Sequence, residues 1–154
     1  MKFVVTLLLL LPIWHASATE QRFSMPAQKL GEEFTVQVSL PDSYLHSERY
    51  TYPLLLVLDG SAQFKHTASS AQFLSAYAVI PEMIVVGVST QNRLAFFTPS
   101  EPESFAGRSG RAGSYLDFLQ TALLPLLREK YRVAPYSIIS GHSLSGLFTS
   151  YVAL

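Results

Sequence analysis

The 154-residue chain contains no cysteine. That excludes disulfides, thiolate zinc sites, a cysteine nucleophile and any lipid anchor carried on a cysteine. An excess of one charge is also missing. Eleven Lys and Arg cancel eleven Asp and Glu, and only 14% of the residues are charged. Neither a nucleic-acid footprint nor a polybasic membrane patch is expected from that balance. There is no apolar run long enough for a stable bilayer span, which needs about 20 residues. The stretch Phe3 to Leu11 is almost wholly apolar but short, with Lys2 before it and Ala16-Ser17-Ala18 after it. This reads as an export signal over residues 1–18, cleaved after Ala18, with residues 19–154 as the mature part. A periplasmic or secreted location without a stable membrane anchor follows. The Gly- and Arg-rich run Gly107 to Gly113 lacks both the G-x-x-x-x-G-K-[ST] and the G-x-G-x-x-G spacing, so a phosphate cradle is not expected.

What is present is a composition of 49% hydrophobic residues, suited to one globular domain or part of one. Residues 22–28 and 34–40 read as an opening hairpin, because Phe34, Val36 and Val38 alternate with polar neighbours. Leu54 to Leu58 and Met83 to Val88 are unbroken apolar runs, as expected for parallel strands covered on both faces. Between them, Ala62 to Val79 has the spacing of one helix or two, with Phe64, Ala68, Ala71, Phe73, Leu74 and Tyr77 as its buried side. A third parallel strand is expected over Ser137 to Ser140. Leu116, Leu119, Leu123 and Leu127 place a helix near Ser114 to Lys130, kinked or divided at Pro125. Residues 91–113 show no periodicity and read as one long loop at the end of the sheet where sites collect.

The stretch Ile138-Ile139-Ser140-Gly141-His142-Ser143-Leu144-Ser145-Gly146-Leu147-Phe148 organises the rest. It reads as a strand, a very tight turn and a helix. At such a turn a serine hydroxyl is thrust clear of the backbone, above a helix N-terminus that favours negative charge. Small residues are required two positions before and after the serine. Gly141 meets that requirement, whereas Ser145 departs from the usual G-x-S-x-G pattern.

Taken together, Tyr52 to Gly60, Gln91-Asn92-Arg93 with Thr98-Pro99, Leu124-Pro125 with Tyr131, and Gly141 to Leu147 make residues 23–154 resemble the esterase D-type branch of the α/β-hydrolase superfamily. This branch includes esterases similar to siderophore esterases. The resemblance implies a three-layer α/β fold with a mostly parallel sheet and an N-terminal antiparallel hairpin. It also implies a serine esterase acting on a small-molecule ester, without metal or cofactor. Carried onto this chain, the nucleophile is Ser143, and one oxyanion donor is the backbone N–H of Leu144. The other donor is the N–H of Ser61 or Gly60, with Ser61 preferred. From the residues themselves, Arg93, with Arg108 and Arg111 in the same loop, is a candidate for attracting an anionic substrate, and solvated loop arginines are the other reading. Asp59 is not expected to be the triad acid, because in this superfamily the acid follows the nucleophile.

The acid and then the histidine should both lie after Ser143, yet the residues from Leu144 to Leu154 include no Asp, Glu or His. His15, His46, His66 and His142 all precede the serine. The expectation is therefore the N-terminal part of a longer esterase, truncated after the elbow and inactive as it stands. The alternative is a non-catalytic binding domain that retains the hydrolase fold.

Overall fold

A computed structural model of the chain describes residues 20–153; the signal-peptide expectation for residues 1–18 lies outside them. Five strands form one sheet: β1 (Glu20–Ala27), β2 (Glu32–Ser39), β3 (Tyr52–Leu58), β4 (Ile84–Ser89) and β5 (Val133–Ser140). Their spatial order is β1-β2-β4-β3-β5. The hairpin β1–β2 is antiparallel, and β2 also runs antiparallel to β4. The remaining strands, β4, β3 and β5, are mutually parallel. Among the described residues the parallel part thus comprises three strands, with the hairpin laid against one side of it.

The apolar runs sort onto two faces by the two-residue period of a strand. Leu54, Leu56 and Leu58 of β3 join Ile84, Val86 and Val88 of β4 in the larger core, while Val57 and Val85 point the other way with Phe64 and Ala71. The smaller face is covered by α1 (Gly60–Ala76). Opposite it lie α2 (Arg93–Phe97), α3 (Ala112–Phe118), α4 (Leu124–Lys130) and α5 (Leu144–Val152). These make three layers. Tyr115 sits at the centre of the larger core, its ring 5.4 Å from that of Phe34 and 5.1 Å from that of Phe148. Each such fully buried side chain contributes about 1.5–3 kcal/mol. Phe148 therefore fixes α5 to the core. Burial, reinforced by the negative charges of Asp59 and Glu32, pushes the Tyr115 phenol far above its ordinary range, so the ring carries no charge there.

Three expectations change. Phe73 on α1 and Tyr77 just past its end are 62% and 70% exposed. They pair with each other, ring centroids 5.0 Å apart, rather than packing on the sheet. A single helix face of about 100° suffices to cover β3 and β4, and these two aromatics lie outside it. Residues 91–113 are not an unstructured loop. They contain α2, whose Ala95, Phe96 and Phe97 are buried, and a 3₁₀ turn at Glu103–Phe105. Finally, the division expected at Pro125 takes the form of a π-helical segment, Leu119–Leu123, between α3 and α4. The wider turn, in which the Leu124 N–H bonds the Leu119 carbonyl, carries the chain into Pro125 near the start of α4, where its missing N–H costs little.

Among the described residues β5 has a neighbour on one side only. Its Tyr136 and Ile138 are 55% and 43% exposed. No described helix is long and apolar enough to cross a membrane.

Candidate active site

β3 and β5 are adjacent and parallel, with Val57 opposite Ser140. Both chains therefore leave the sheet at the same end, side by side, and each turns at once into a helix. Two helices, α1 and α5, begin at this end. In each case the leading N–H groups have no partner within their own helix.

The β3–α1 turn is made by Asp59, in the left-handed region at φ 55°, ψ 41°. Asp tolerates that conformation better than most residues. Its carbonyl accepts from the N–H groups of Ala62 and Gln63 and so closes the first turn of α1. Gly60 follows because nothing larger fits: a Cβ there would lie 2.8 Å from the backbone of Gly87 in β4. The N–H groups of Gly60 and Ser61, the expected second oxyanion donors, stand at this N-terminus. Ser61 is exposed and Gly60 is buried.

The β5–α5 turn is tighter. Ser143 adopts φ 57°, ψ −116°. This lies well outside the left-handed helical well, in a region that side chains disfavour. Its side chain is exposed, and Leu144, the expected first donor, begins α5 directly after it. Gly141 is obligatory, since a Cβ there would come within 2.3 Å of the Ser145 carbonyl oxygen. The turn thus has the sharp strand-to-helix geometry inferred from the sequence.

The two turns are tied together by a contact that the sequence pattern does not suggest. Ser145 is wholly buried. Its Oγ donates to Asp59 Oδ2 at 2.7 Å and accepts from the His142 N–H at 2.9 Å. Asp59, only 9% exposed, also takes a bidentate pair from Arg93 at the start of α2, with Nε to Oδ1 at 2.6 Å and Nη2 to Oδ2 at 2.8 Å. Hydrogen bonding to Asp59 is the main reason that the Arg93 guanidinium is held even more firmly protonated than usual. The buried carboxylate is thereby both neutralised and hydrogen-bonded, as burial requires.

Two residues weighed from the sequence acquire definite positions. Asp59 is engaged by Arg93 and Ser145. Arg93, expected as a substrate-binding cation, has two of its three guanidinium nitrogens committed to Asp59, although 47% of its side chain stays exposed. Of its neighbours, Arg111 bonds the Leu30 carbonyl and stacks on Phe96, and Arg108 lies over Phe105. Among the described residues no side chain hydrogen-bonds the Ser143 hydroxyl. His66 and His142 line a small cleft with Gln63, Thr67, Ser140 and Gly141, which Ser143 does not line. Also among the described residues, no group of His, Asp and Glu side chains is placed to hold a metal ion.

Residues 27–154 match the family described as "Putative esterase". The chain is 29% identical over 122 residues to the uncharacterized protein YbbA of Bacillus subtilis (strain 168), covering 75% of this chain and 48% of that one. Among solved structures, it resembles an IroE-like serine hydrolase from Shewanella oneidensis, with a TM-score of 0.81 and 30% identity, over 87% of this chain and 46% of that one. It also resembles the siderophore hydrolase EstB from Aspergillus nidulans, with a TM-score of 0.73 and 25% identity, over 96% of this chain and 52% of that one. The chain spans about half the length of each of these proteins.

Proposed function

The chain belongs to the esterase family of the α/β-hydrolase superfamily, and on that premise we propose that it is the elbow-bearing part of an exported serine carboxylic ester hydrolase, with Ser143 as nucleophile. The observation that carries this reading is the backbone of Ser143. A non-glycine residue is held at φ 57°, ψ −116°, in an exposed position at the end of the sheet where α1 and α5 both begin. Strain of this kind costs on the order of 1–3 kcal/mol and persists where function requires it.

In the proposed reaction Ser143 Oγ attacks the ester carbonyl carbon while its proton passes to a general base. The bond to the alcohol breaks, and the departing oxygen takes that proton. Water then attacks the acyl-serine, releases the acid and restores the hydroxyl. The carbonyl oxygen becomes an oxyanion between the N–H of Leu144 and that of Gly60 or Ser61. A donor aimed at that oxygen typically lowers the barrier by about 3 kcal/mol. Residues 144–154 hold no Asp, Glu or His. The base and its orienting carboxylate in this proposal therefore come from outside residues 144–154.

Carboxylic esters of acyl or siderophore type are the proposed substrates, supported by the family and by the likeness to siderophore hydrolase EstB. That no described side chain hydrogen-bonds the Ser143 hydroxyl is the observation that favours the competing reading, a non-catalytic binding domain. Hydrolysis of p-nitrophenyl butyrate by the full-length protein decides between them. Ser143→Ala should lower the rate at least about a thousandfold while thermal unfolding stays cooperative. An unchanged rate in Ser143→Ala, or no hydrolysis by the parent, would rule out the nucleophile assignment. Export rests on residues 1–18, and the secreted protein should begin Thr19-Glu20-Gln21-Arg22. An intact Met1 on exported material would contradict it.

A further inference from the structure

We infer that the Ser145–Asp59 hydrogen bond is a positioning device that sets the width of the oxyanion hole, an inference that rests on the serine-esterase reading above. Three observations converge on it. First, the bond joins the two segments that carry the two donors. Asp59 immediately precedes Gly60 and Ser61, and Ser145 immediately follows Leu144. It lies beyond the last paired residues of the strands, Val57 and Ser140, and ties one turn to the other. Second, the direction of the bond is fixed. Ser145 Oγ has one proton and two acceptors in reach, Asp59 Oδ2 at 2.7 Å and the His142 carbonyl at 3.0 Å. The shorter contact to an ionised oxygen is the stronger. The hydroxyl therefore donates to Asp59, and its lone pair receives the His142 N–H at 2.9 Å. The relay from His142 through Ser145 to Asp59 spans both sides of Ser143. Third, the acceptor is itself immobilised, since Arg93 holds both carboxylate oxygens.

Oxyanion donors act only when they lie about 2.7–3.1 Å from the position that the charged oxygen will occupy. A displacement of about 1 Å can cost about a hundredfold in rate. A glycine at position 145, which the usual elbow pattern carries, has no hydroxyl and would leave the two turns without this hydrogen bond. The departure from G-x-S-x-G is therefore the feature that supplies the latch. Neither Ser145 nor Asp59 touches the reacting atoms; both act through the N–H groups beside them.

The test compares an ester with its thionoester, in which sulfur replaces the carbonyl oxygen, in the full-length protein. Sulfur is larger and a poorer hydrogen-bond acceptor, so a well-set oxyanion hole favours the oxygen ester strongly. In Ser145→Ala, kcat for the oxygen ester should fall about tenfold to a hundredfold with KM nearly unchanged. The ratio of oxygen-ester to thionoester kcat/KM should fall with it. A loss of folded protein would lower both substrates equally and leave that ratio alone. Asp59→Asn, which keeps the shape of the acceptor but not its charge, should reduce the same ratio. The double variant should be no worse than the poorer single one, because the two residues act as one unit. A parent-like ratio in Ser145→Ala, or additive losses in the double variant, would overturn the positioning role while leaving Ser143 as nucleophile. A parent enzyme that hydrolyses neither ester would remove both readings together.

Discussion

The turns after β3 and after β5 leave the same end of the sheet, each beginning a helix through a non-glycine residue at positive φ, yet they are built on opposite terms. Asp59 adopts φ 55°, ψ 41°, a well that Asp can occupy, and its side chain is buried, ion-paired and hydrogen-bonded. Ser143 adopts φ 57°, ψ −116°, a region with no comparable well, and its side chain is exposed without a hydrogen-bond partner among the described residues. The first turn is shaped by its own contacts. The second is shaped by its surroundings: Gly141 allows the Ser145 carbonyl to close in, and Phe148 anchors α5 in the core. A conformation that gains nothing locally and is held from outside is what a reactive group needs. A conformation satisfied by its own side chain is what a support needs.

The largest effect should follow from removing the space that makes the second turn possible. In Gly141→Ala the new methyl would lie 2.3 Å from a backbone oxygen, with no flexible side chain able to yield. A loss of about 3 kcal/mol is expected in denaturant unfolding, with esterase activity lost as well. Parent-like stability would mean that the elbow is looser than described.

The comparison is sharpened by making the same change at both positive-φ positions, where the signs should be opposite. Asp59→Gly relieves little strain but deprives Ser145 of its acceptor and Arg93 of its counter-ion, and should destabilise by about 2 kcal/mol. Ser143→Gly relieves strain at no cost in contacts and should stabilise by about 1 kcal/mol while abolishing hydrolysis. Equal signs in chemical denaturation would erase the distinction between a support and a strained reactive turn.

Much of the architecture was legible because burial on both faces writes itself as unbroken apolar runs, seen at Leu54 to Leu58 and Ile84 to Val88. The elbow was legible for a similar reason: Gly141 is required by backbone contact, and backbone requirements appear in the sequence. The short helix Arg93–Phe97 was hidden, because five residues are too few to establish a period, although the run Leu94-Ala95-Phe96-Phe97 was a signal of burial. Phe73 and Tyr77 were misread because periodicity identifies a face without saying how wide a face the sheet will cover. The latch was out of reach. Asp59 and Ser145 are 86 positions apart in the chain, and a buried pair at that separation leaves no local pattern. The only trace was Ser145 itself, standing where glycine is usual.

The central claim is that Ser143 is a nucleophile held ready by the elbow. Treating the full-length protein with a fluorophosphonate and mapping the adduct by peptide mass spectrometry tests it most directly. The account predicts one phosphonyl group on the peptide that contains Ser143, absent from Ser143→Ala and slower to form in Ser145→Ala. An adduct on another residue, or ester hydrolysis that persists with Ser143 unmodified, would contradict it.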